Sequence, residues 1–566
     1  MKRVCLLIAL AAVAAGGVVY TVRHVQATSN AAVTALLPRN TVALIHLPDF
    51  NRSRDDWHQT DIYKLYEEPA VREFLNRPLS KVPRRNITSQ TLPDLEKLSP
   101  KDAFLAVTSI EENNPHFIGG FRFHGSQSDA DRVIDKWRSQ LVRDASAHET
   151  VDYQQHKIDI VGVDPNQIAT VYDGQWFFAS NDFSELKTVL DRADGREKNP
   201  QTTLASDETF RAALAHMPAS YALLFYVQPK GISERLASLR KAIGPAGNQT
   251  TVVDQIRSVC GATRFDNGKM RDLLFVGMPQ TQSDRQLTRA SLDLGTAETF
   301  LYIATLINPD RLGEINHAVL PTGTWLQKVF DATARAGVTV DDWKAAFDLE
   351  LESLADWPQS SRWPSVVATL RVKDLARASK LVDALTHGIG EDAVWTKTEK
   401  NGVVYFYMQT PAALLAITPT LALSKQTLIV GLDSVSVESA INRSAQTSSS
   451  SSLANSPTFK TASRAVPAPT GAFVYVDAAM LYSRMDAALR PMLLMSVAFM
   501  PAISDYVDVG KLPPPEIVAK HLSPIVSSQR YDGDGYVTES VGPVTLSEAA
   551  VGIGLPAILW GETRPH

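Results

Sequence analysis

The sequence matches itself at an offset of about 250 residues, and this internal match constrains the fold more than any other feature. Ile168–Leu190 aligns with Pro419–Ile441, and Leu204–Val227 aligns with Leu453–Val476. The first pair of segments is typical of a short hairpin followed by an acidic N-cap and an amphipathic helix. A chain that repeats in this way is expected to fold as two similar units.

Further matches extend the repeat in both directions and keep the same order along the chain. The matching segments are Thr41–Leu47 with Thr299–Thr305, Phe117–Phe123 with Val366–Val372, the helices Ala130–Leu141 with Leu375–Leu385, and Arg264–Gly268 with Arg530–Asp534. Because an ordered series of six matches is hard to obtain by chance, we predict two tandem copies, residues 36–290 and residues 295–545.

Turn residues and apolar periodicity indicate which elements each copy contains. The dipeptides that separate strand-like runs are Asp173-Gly174, Asn267-Gly268, Asn401-Gly402 and Asp532-Gly533. Such dipeptides are the strongest short-range signal for a β-hairpin. Between hairpins, apolar residues such as Ala130, Ile134 and Leu141 fall on one helical face. The pattern predicts an α+β fold with a largely antiparallel sheet, one face of which is covered by helices in each copy.

The N-terminus carries an apolar run that fits a membrane-spanning helix. Lys2 and Arg3 precede residues 4–22, where about 19 apolar residues would rise about 28 Å as a helix, close to the thickness of the hydrocarbon core. The leading charges favour a cytoplasmic N-terminus. We therefore predict that residues 1–35 form a single-pass anchor and linker in a bacterial inner membrane, with the body in the periplasm or otherwise outside the cytoplasm. The alternative is a signal peptide cleaved after Ala27.

Charge and cysteine content exclude two classes of protein. The formal net charge is −5 and the sequence pI is about 6.2, so the chain lacks the basic character of a nucleic-acid-binding protein. The two cysteines are Cys5, at the start of the apolar N-terminal run, and Cys260. The body therefore has one thiol, and a disulfide-stapled scaffold is excluded. The position of Cys5 also argues against a lipoprotein anchor.

Two further apolar segments lie near the C-terminus. The tail, residues 546–566, contains Ala549–Trp560, which is too short to span a bilayer and is expected to be buried or interfacial. Ala487–Ile503 is also strongly apolar. We expect Pro491 and Pro501 to interrupt this segment, which disfavours a second membrane span.

The sequence resembles a family of exported bacterial proteins that carry a domain of unknown function. The resemblance lies in Leu36–Phe50 (LLPRNTVALIHLPDF), Asp182–Ala193 (DFSELKTVLDRA) and Leu204–Val227. In that family a strand with the pattern LP-x-x-T follows an N-terminal anchor, and segments of the form S/T-L-A-x-x-x-x-F-x-x-A-L recur between a helix and a strand. The similarity covers most of residues 36–480. It implies an exported, anchored protein of this architecture, and it supplies no reaction and no site residues.

The sequence shows no catalytic, metal-binding or nucleotide-binding motif. None of the twelve histidines occurs in an H-x-x-x-H, H-x-H or H-E-x-x-H spacing. The pairs His116 with His124 and His148 with His156 are interpreted as exposed loop or strand-end residues. Neither a G-x-S-x-G elbow nor a P-loop is present.

Four positions could carry chemistry, but each has a simpler structural explanation. Cys260 could be a nucleophile, yet it aligns with Val526 in the repeat and is interpreted as a small core residue. Asp49 and Asp310 could be paired catalytic carboxylates, but turns or helix N-caps explain acidic residues there. The segment Asp532–Gly535 superficially resembles a calcium loop and lacks the remaining ligands, so a turn is favoured. We predict no catalytic, cofactor-binding or metal-binding residues and no cofactor.

These features together favour a non-enzymatic envelope protein that acts by binding or structural association. Its expected partners are the membrane, through the N-terminal helix, and an envelope protein or an apolar ligand. The alternative is a periplasmic carrier or sensor of a lipid or another apolar ligand, suggested by the apolar segments Ala487–Ile503 and Ala549–Trp560. An enzyme of unrecognised type would be indicated by a cleft that gathers Asp49, Asp310 or a histidine.

Overall fold

The computed structural model describes residues 31–547, with gaps at 82–86, 112–113, 144–146, 163–166, 173–175, 230–254, 281–284, 308–334, 336, 389–393, 410–417, 446–451 and 500–506. The predicted N-terminal helix, the Asp173-Gly174 turn and the apolar tail lie outside these residues. Among the described helices, none combines the length and the hydropathy needed to cross a membrane. The chain divides into two compact units, residues 1–279 with 534–537 and residues 280–533 with 538–566.

Unit 1 combines ten described strands with eight described helices. The strands are β1 (Ala43–Asp49), β2 (Pro100–Glu111), β3 (Asn114–Phe123), β4 (His148–Tyr153), β5 (His156–Val161), β6 (Ile168–Tyr172), β7 (Trp176–Ser180), β8 (Leu223–Val227), β9 (Ser258–Asp266) and β10 (Lys269–Gly277). The helices are α1 (Ala31–Leu36), α2 (Phe50–Trp57), α3 (Asp61–Glu67), α4 (Pro69–Lys81), α5 (Ile87–Leu98), α6 (Gln127–Arg143), α7 (Phe183–Ala193) and α8 (Glu208–Ala215).

The strands of unit 1 follow the order β4-β5-β6-β7-β3-β2-β1-β8-β9-β10, and each neighbouring pair is antiparallel. The first strand lies inside the sheet, where Leu44 pairs with Ala106 of β2 on one side and with Tyr226 of β8 on the other. The β9–β10 hairpin turns at Asn267 and Gly268, whose φ angles are +52° and +81°. The hairpin predicted at this dipeptide is confirmed.

Unit 2 contains a corresponding set of elements. The strands are β11 (Thr299–Leu306), β12 (Phe347–Asp356), β13 (Ser365–Val372), β14 (Val394–Lys400), β15 (Val403–Gln409), β16 (Thr420–Leu423), β17 (Thr427–Gly431), β18 (Ala472–Val476), β19 (Ile525–Tyr531) and β20 (Tyr536–Gly542). The first two residues of β20 are assigned to unit 1, and the other five to unit 2. The described helices are α9 (Val340–Ala346), α10 (Leu375–Gly388), α11 (Ser434–Ser444), α12 (Pro457–Ser463), α13 (Ala478–Phe499) and α14 (Pro515–Ala519).

The strands of unit 2 follow the order β14-β15-β16-β17-β13-β12-β11-β18-β19-β20. All pairings from β14 to β19 are antiparallel. This order is that of unit 1 with every strand number raised by ten. The α+β class and the antiparallel pairing predicted from the sequence are therefore confirmed.

An arginine holds the segment before the first strand in each unit. In unit 1, Arg192 of α7 donates a hydrogen bond to the carbonyl oxygen of Leu36 at 2.9 Å. In unit 2, Arg443 of α11 donates to the carbonyl oxygen of Leu294 at 2.6 Å. Each bond connects a helix, α7 or α11, to the segment that precedes the first strand of the same unit, β1 or β11.

Helices cover both faces of the sheet in each unit, so the prediction of one covered face is wrong. Neighbouring residues of a strand face opposite sides. On β7, Phe178 packs in a core with α7 and α8, whereas Phe177 packs against Ala130, Val133 and Ile134 of α6. In unit 2, Ile429 shares a core with α11, and the adjacent Leu428 shares another core with α10. Strands with bulky apolar residues on both faces must be covered on both faces to exclude water.

Candidate functional site

Cys260 is buried in the core of unit 1, as its alignment with Val526 predicted. On β9 it pairs with Tyr226 of β8, and Val526 on β19 pairs in the same way with Tyr475 of β18. Burial raises the pKa of the Cys260 thiol to about 12. Because the thiolate is the nucleophilic form, this residue is chemically inert in the folded protein.

Asp49 forms the N-cap of α2, where its carboxylate accepts a hydrogen bond from the backbone N–H of Arg52 at 3.1 Å. It also forms an ion pair with Lys101 of β2. These contacts give Asp49 the capping role expected from the sequence. Asp310, its counterpart in the repeat, lies outside the described residues.

The four histidines considered from the sequence lie on separate elements, and the structure does not gather them into one site. His116 lies 2.7 Å from the carboxylate of Asp182, and His156 lies 2.8 Å from that of Asp194. His148 lies 3.4 Å from Asp159, while His124 follows the end of β3. Across the part of the chain that the structure describes, no group of three or more His, Cys, Asp or Glu residues could hold a metal ion.

A buried polar cluster in unit 1 was not predicted from the sequence. Nδ1 of His46 lies 3.0 Å from the hydroxyl of Tyr221, and its Nε2 lies 3.8 Å from the carboxylate of Asp102. Arg122 donates to the other oxygen of Asp102 at 2.6 Å. Burial raises the pKa of Asp102, but the proximity of His46 and of the charged Arg122 outweighs burial and holds this pKa below its ordinary value.

This cluster supports a local irregularity of β2. Asp102 has a φ of +49° beside a register shift between Lys101 and Phe104, and a charged partner compensates such strain. His46 and Asp102 are both buried, so the pair is closed to a solvent-borne substrate. In the repeat, Ala304 occupies the position of His46. The one feature of the sequence that could have indicated this cluster was a histidine, His46, inside the apolar strand Thr41–Leu47.

Three buried carboxylates lie on one face of β12 in unit 2, namely Glu350, Glu352 and Asp356. Glu352 accepts hydrogen bonds from the backbone N–H of Ser291 at 2.7 Å and from the hydroxyl of Tyr302 at 3.2 Å. Burial, and then the proximity of Glu350, raise the pKa of Glu352 to about 7.

Glu350 also binds the chain that precedes β11, whereas Asp356 binds the first residue of β11 and an arginine of α11. Glu350 accepts from the backbone N–H groups of Thr288 and Arg289 at 2.9 and 2.6 Å. Asp356 accepts from the hydroxyl of Thr299 at 2.5 Å and from Arg443 at 3.1 Å. The bonds of Glu350 and Glu352 give the acidic face a structural role, since they satisfy backbone N–H groups of Thr288, Arg289 and Ser291.

The strongest candidate for a functional surface is α13, a helix of 22 residues. Its first half packs through Met480, Leu481 and Ala488 on a core formed by Phe300, Ala355 and Trp357. The helix continues through Pro491, so the expected interruption at this residue is wrong. A proline removes a single backbone donor, and the packing of the first half and the hydrogen bonds of the adjacent arginine hold the remainder of the helix.

That arginine, Arg490, fixes the middle of α13. Arg490 donates to the carboxylate of Asp486 at 2.6 Å and to the carbonyl oxygens of Leu512 and Pro513 at 3.1 and 2.6 Å. Arg484, nearly two turns earlier, donates to the carbonyl oxygen of Trp357 at 3.0 Å. Two arginines therefore attach α13 to unit 2, and the second does so immediately before Pro491.

The turn after Pro491 is apolar and exposed on all its sides. Met492, Leu493, Leu494 and Met495 are 40, 41, 52 and 58% exposed. Four consecutive residues cover the whole circumference of a helix with 3.6 residues per turn. Fully burying a Leu or Met side chain is worth about 1.5–3 kcal/mol, so these half-exposed side chains retain a potential burial energy of about 4 kcal/mol in total. We call these four residues the apolar turn.

Comparison with known proteins does not identify the chain. No family model matches, and no curated protein matches. Two crystal forms of the protein TP0453 have a TM-score of 0.24 and 0.23 to this structure. Their sequences are 6 and 8% identical, the matches cover 44 and 46% of this chain, and they cover 81 and 82% of TP0453. At TM-scores this low the similarity carries no argument about fold or function.

Proposed function

We propose that this chain is a non-enzymatic, membrane-anchored envelope protein whose duplicated body acts by binding, through the apolar turn of α13. The observation that carries the proposal is the exposure of Met492 to Met495 on all sides of a helix that two arginines attach to the body. Helices that are apolar on all sides are normally buried, which favours a binding partner for this turn.

We also propose that units 1 and 2 are tandem copies of one ancestral unit. The shared strand order supports this, as do matched hydrogen bonds. Leu204 donates from its backbone N–H to the carbonyl oxygen of Leu37 at 2.9 Å, and Leu453 donates to that of Gly295 at 3.1 Å. We include in the same proposal the resemblance to exported bacterial proteins with a domain of unknown function, which Leu36–Phe50 carries.

The anchor is proposed from the sequence alone. Residues 4–22 have the length and composition of a single membrane span, and Lys2 and Arg3 favour a cytoplasmic N-terminus. Only residues 24–30 separate Arg23 from the start of α1, so the distance between them is at most about 28 Å when the chain is extended. The body would therefore remain close to the outer surface of the inner membrane.

Membrane extraction tests this proposal. The full-length chain should stay with bacterial membranes after an alkaline carbonate wash, and protease added outside the inner membrane should digest its body. A variant with Leu10→Arg and Val13→Arg should be released or retained in the cytoplasm, because two arginines disrupt the apolar run. A wild-type chain that is washed off, or that begins at Thr28 when its N-terminus is sequenced, contradicts the anchor.

A second candidate function, a carrier or sensor of an apolar ligand, is favoured by the same exposed side chains. An apolar turn on a soluble body is suited to cover the acyl chain of a bound lipid. Native mass spectrometry of the protein purified from bacterial membranes distinguishes the candidates. A carrier retains a stoichiometric lipid after the detergent is removed, and an anchored binding protein gives the mass of the chain alone.

A further inference from the structure

The end of α13 differs from the corresponding stretch of the first copy in the character of its sequence. Residues 491–503 contain no charged side chain. At the 249-residue offset of the preceding matched segments, Met492 to Met495 correspond to Ile243-Gly244-Pro245-Ala246, which lack four large apolar side chains in succession. The apolar turn is therefore specific to the second copy and is not a requirement of the shared fold.

The size of the apolar turn restricts what it can bind. Its potential burial energy corresponds to a preference of a little under a thousandfold for an apolar environment. A complex between two free molecules must also overcome the loss of translational and rotational freedom, and micromolar affinity alone requires a millionfold preference. The turn is too small to capture a free protein, but it is large enough to hold a body that is already tethered beside its partner.

The chain outside the described residues indicates that partner. Residues 4–22 fit the hydrocarbon core of a bilayer, and the linker after Arg23 is short. The turn contains Met but no Tyr, Trp or Arg, the other residues in which protein interfaces are enriched, and all four of its side chains suit insertion among acyl chains. With a rise of about 14 Å, residues 491–499 of the helix would enter a bilayer without crossing it.

We propose that the apolar turn of α13 inserts into the outer surface of the lipid bilayer that holds the N-terminal anchor. This inference rests on the proposed function, because the anchor keeps the bilayer within reach. Insertion would fix the body at two points, the anchor and α13, and so restrict its orientation on the membrane. Arg490, bonded to two backbone carbonyls, marks the boundary between the part of α13 that stays with unit 2 and the part that enters the lipid.

The test places an environment-sensitive NBD fluorophore on the helix end of the full-length chain. Met495→Cys is introduced into a chain with Cys5→Ser and labelled. The Cys5→Ser chain without Met495→Cys is treated with the same fluorophore, and the absence of labelling confirms that buried Cys260 does not react. The labelled protein is reconstituted into vesicles of phosphatidylethanolamine and phosphatidylglycerol. A probe at Lys425→Cys, in the exposed turn between β16 and β17, is the matched control.

Insertion predicts a blue-shifted emission at position 495 and quenching by lipids that carry a nitroxide on the acyl chain, with neither effect at position 425. Both effects should persist when the protein-to-lipid ratio is lowered a hundredfold. Adding Met492→Asp and Leu494→Asp should return the probe to an aqueous environment, because each aspartate lowers the preference for hydrocarbon by about a hundredfold. The apolar exchange Met492→Leu with Leu494→Met should leave the signal unchanged.

Three results would overturn the inference. The first is an emission maximum typical of water at position 495, although the protein floats with the vesicles. This result would leave the proposed anchor intact. The second is a blue shift that disappears on dilution, since it assigns the turn to contact with a second copy. The third is failure of the labelled protein to float with the vesicles, which overturns the proposed function together with the inference.

Discussion

Replacing Glu352 by glutamine tests whether the buried acidic face of β12 controls stability. The side chain of Glu352 is buried and accepts hydrogen bonds from Ser291 and Tyr302. Its pKa is raised to about 7 in the folded protein, from an ordinary value of 4.5. Glutamine has the same shape and keeps an oxygen for both donors, so Glu352→Gln removes the ionisation without removing the side chain.

The sign of the pH effect follows from proton binding. Between pH 4.5 and 7 the folded protein keeps a proton on Glu352 that the unfolded chain has released, so the free energy of unfolding falls as pH rises. The stabilising contribution is complete below pH 4.5 and is lost once the pH exceeds 7. A shift from 4.5 to about 7 corresponds to about 3 kcal/mol. Glu352→Gln should therefore match the wild type at pH 4.5 and exceed its stability by about 3 kcal/mol at pH 8.

Thermal unfolding of the full-length protein in detergent, followed by tryptophan fluorescence, measures this difference. About 3 kcal/mol in a unit of this size corresponds to a rise of roughly 6–12 °C in Tm at pH 8. Glu399→Gln, at an exposed glutamate on β14, is the matched control and should follow the wild-type curve at every pH. Parallel Tm curves for Glu352→Gln and the wild type between pH 4.5 and 8 would refute the reasoning.

Three further outcomes are expected. In a Cys5→Ser chain, Cys260 should resist maleimide until urea unfolds the protein, because its thiol is buried with a pKa near 12; rapid labelling of the native chain would contradict this. Arg443→Met should lower the free energy of unfolding by about 3 kcal/mol in thermal denaturation, because it leaves buried Asp356 without its cation, whereas the exposed Arg464→Met should have little effect. Asp49→Ala should cost about 1 kcal/mol through loss of the α2 cap, and Asp49→Asn should cost less because asparagine also caps helices; equal losses would argue against the cap.

The fold class was predictable because its local signals are strong and agree with one another. Asn401-Gly402 adopts φ angles of +53° and +73° between β14 and β15, a conformation that this dipeptide favours. A two-residue turn with these angles fixes antiparallel pairing on either side. The dipeptide alone was sufficient to place this hairpin, whereas the β4–β5 turn at Gln154 and Gln155 carries no such signal.

The arrangement of the helices was less predictable, because consecutive apolar residues conceal the two-residue period of a strand. Trp176, Phe177 and Phe178 are all buried, so the sequence does not show that they face two different cores. The continuation of α13 through Pro491 was missed for a related reason. A local rule for proline does not include tertiary hydrogen bonds such as those of Arg490.

The buried polar groups were missed for another reason. Alternating acidic residues such as Glu350 and Glu352 are typical of a solvent-facing strand surface. In the structure they face inward because the chain before β11 supplies backbone N–H groups there. A partner that is remote in sequence decides the direction in which such a residue points. The apolar turn of α13 was visible as composition, but its exposure was not.

The internal position of the first strand has a consequence for the order of folding. β1 pairs on one side with β8, so Leu44 meets Tyr226 only after most of unit 1 has been synthesised, and β11 depends in the same way on β18. The hairpins β4–β5 and β14–β15 form from neighbouring residues and are available early, whereas each sheet closes late through contacts between its ends. Until then, one edge of the opening strand in each unit has unpaired backbone groups, and a nascent chain stalled before β8 or β18 is at greatest risk of pairing with the wrong strand.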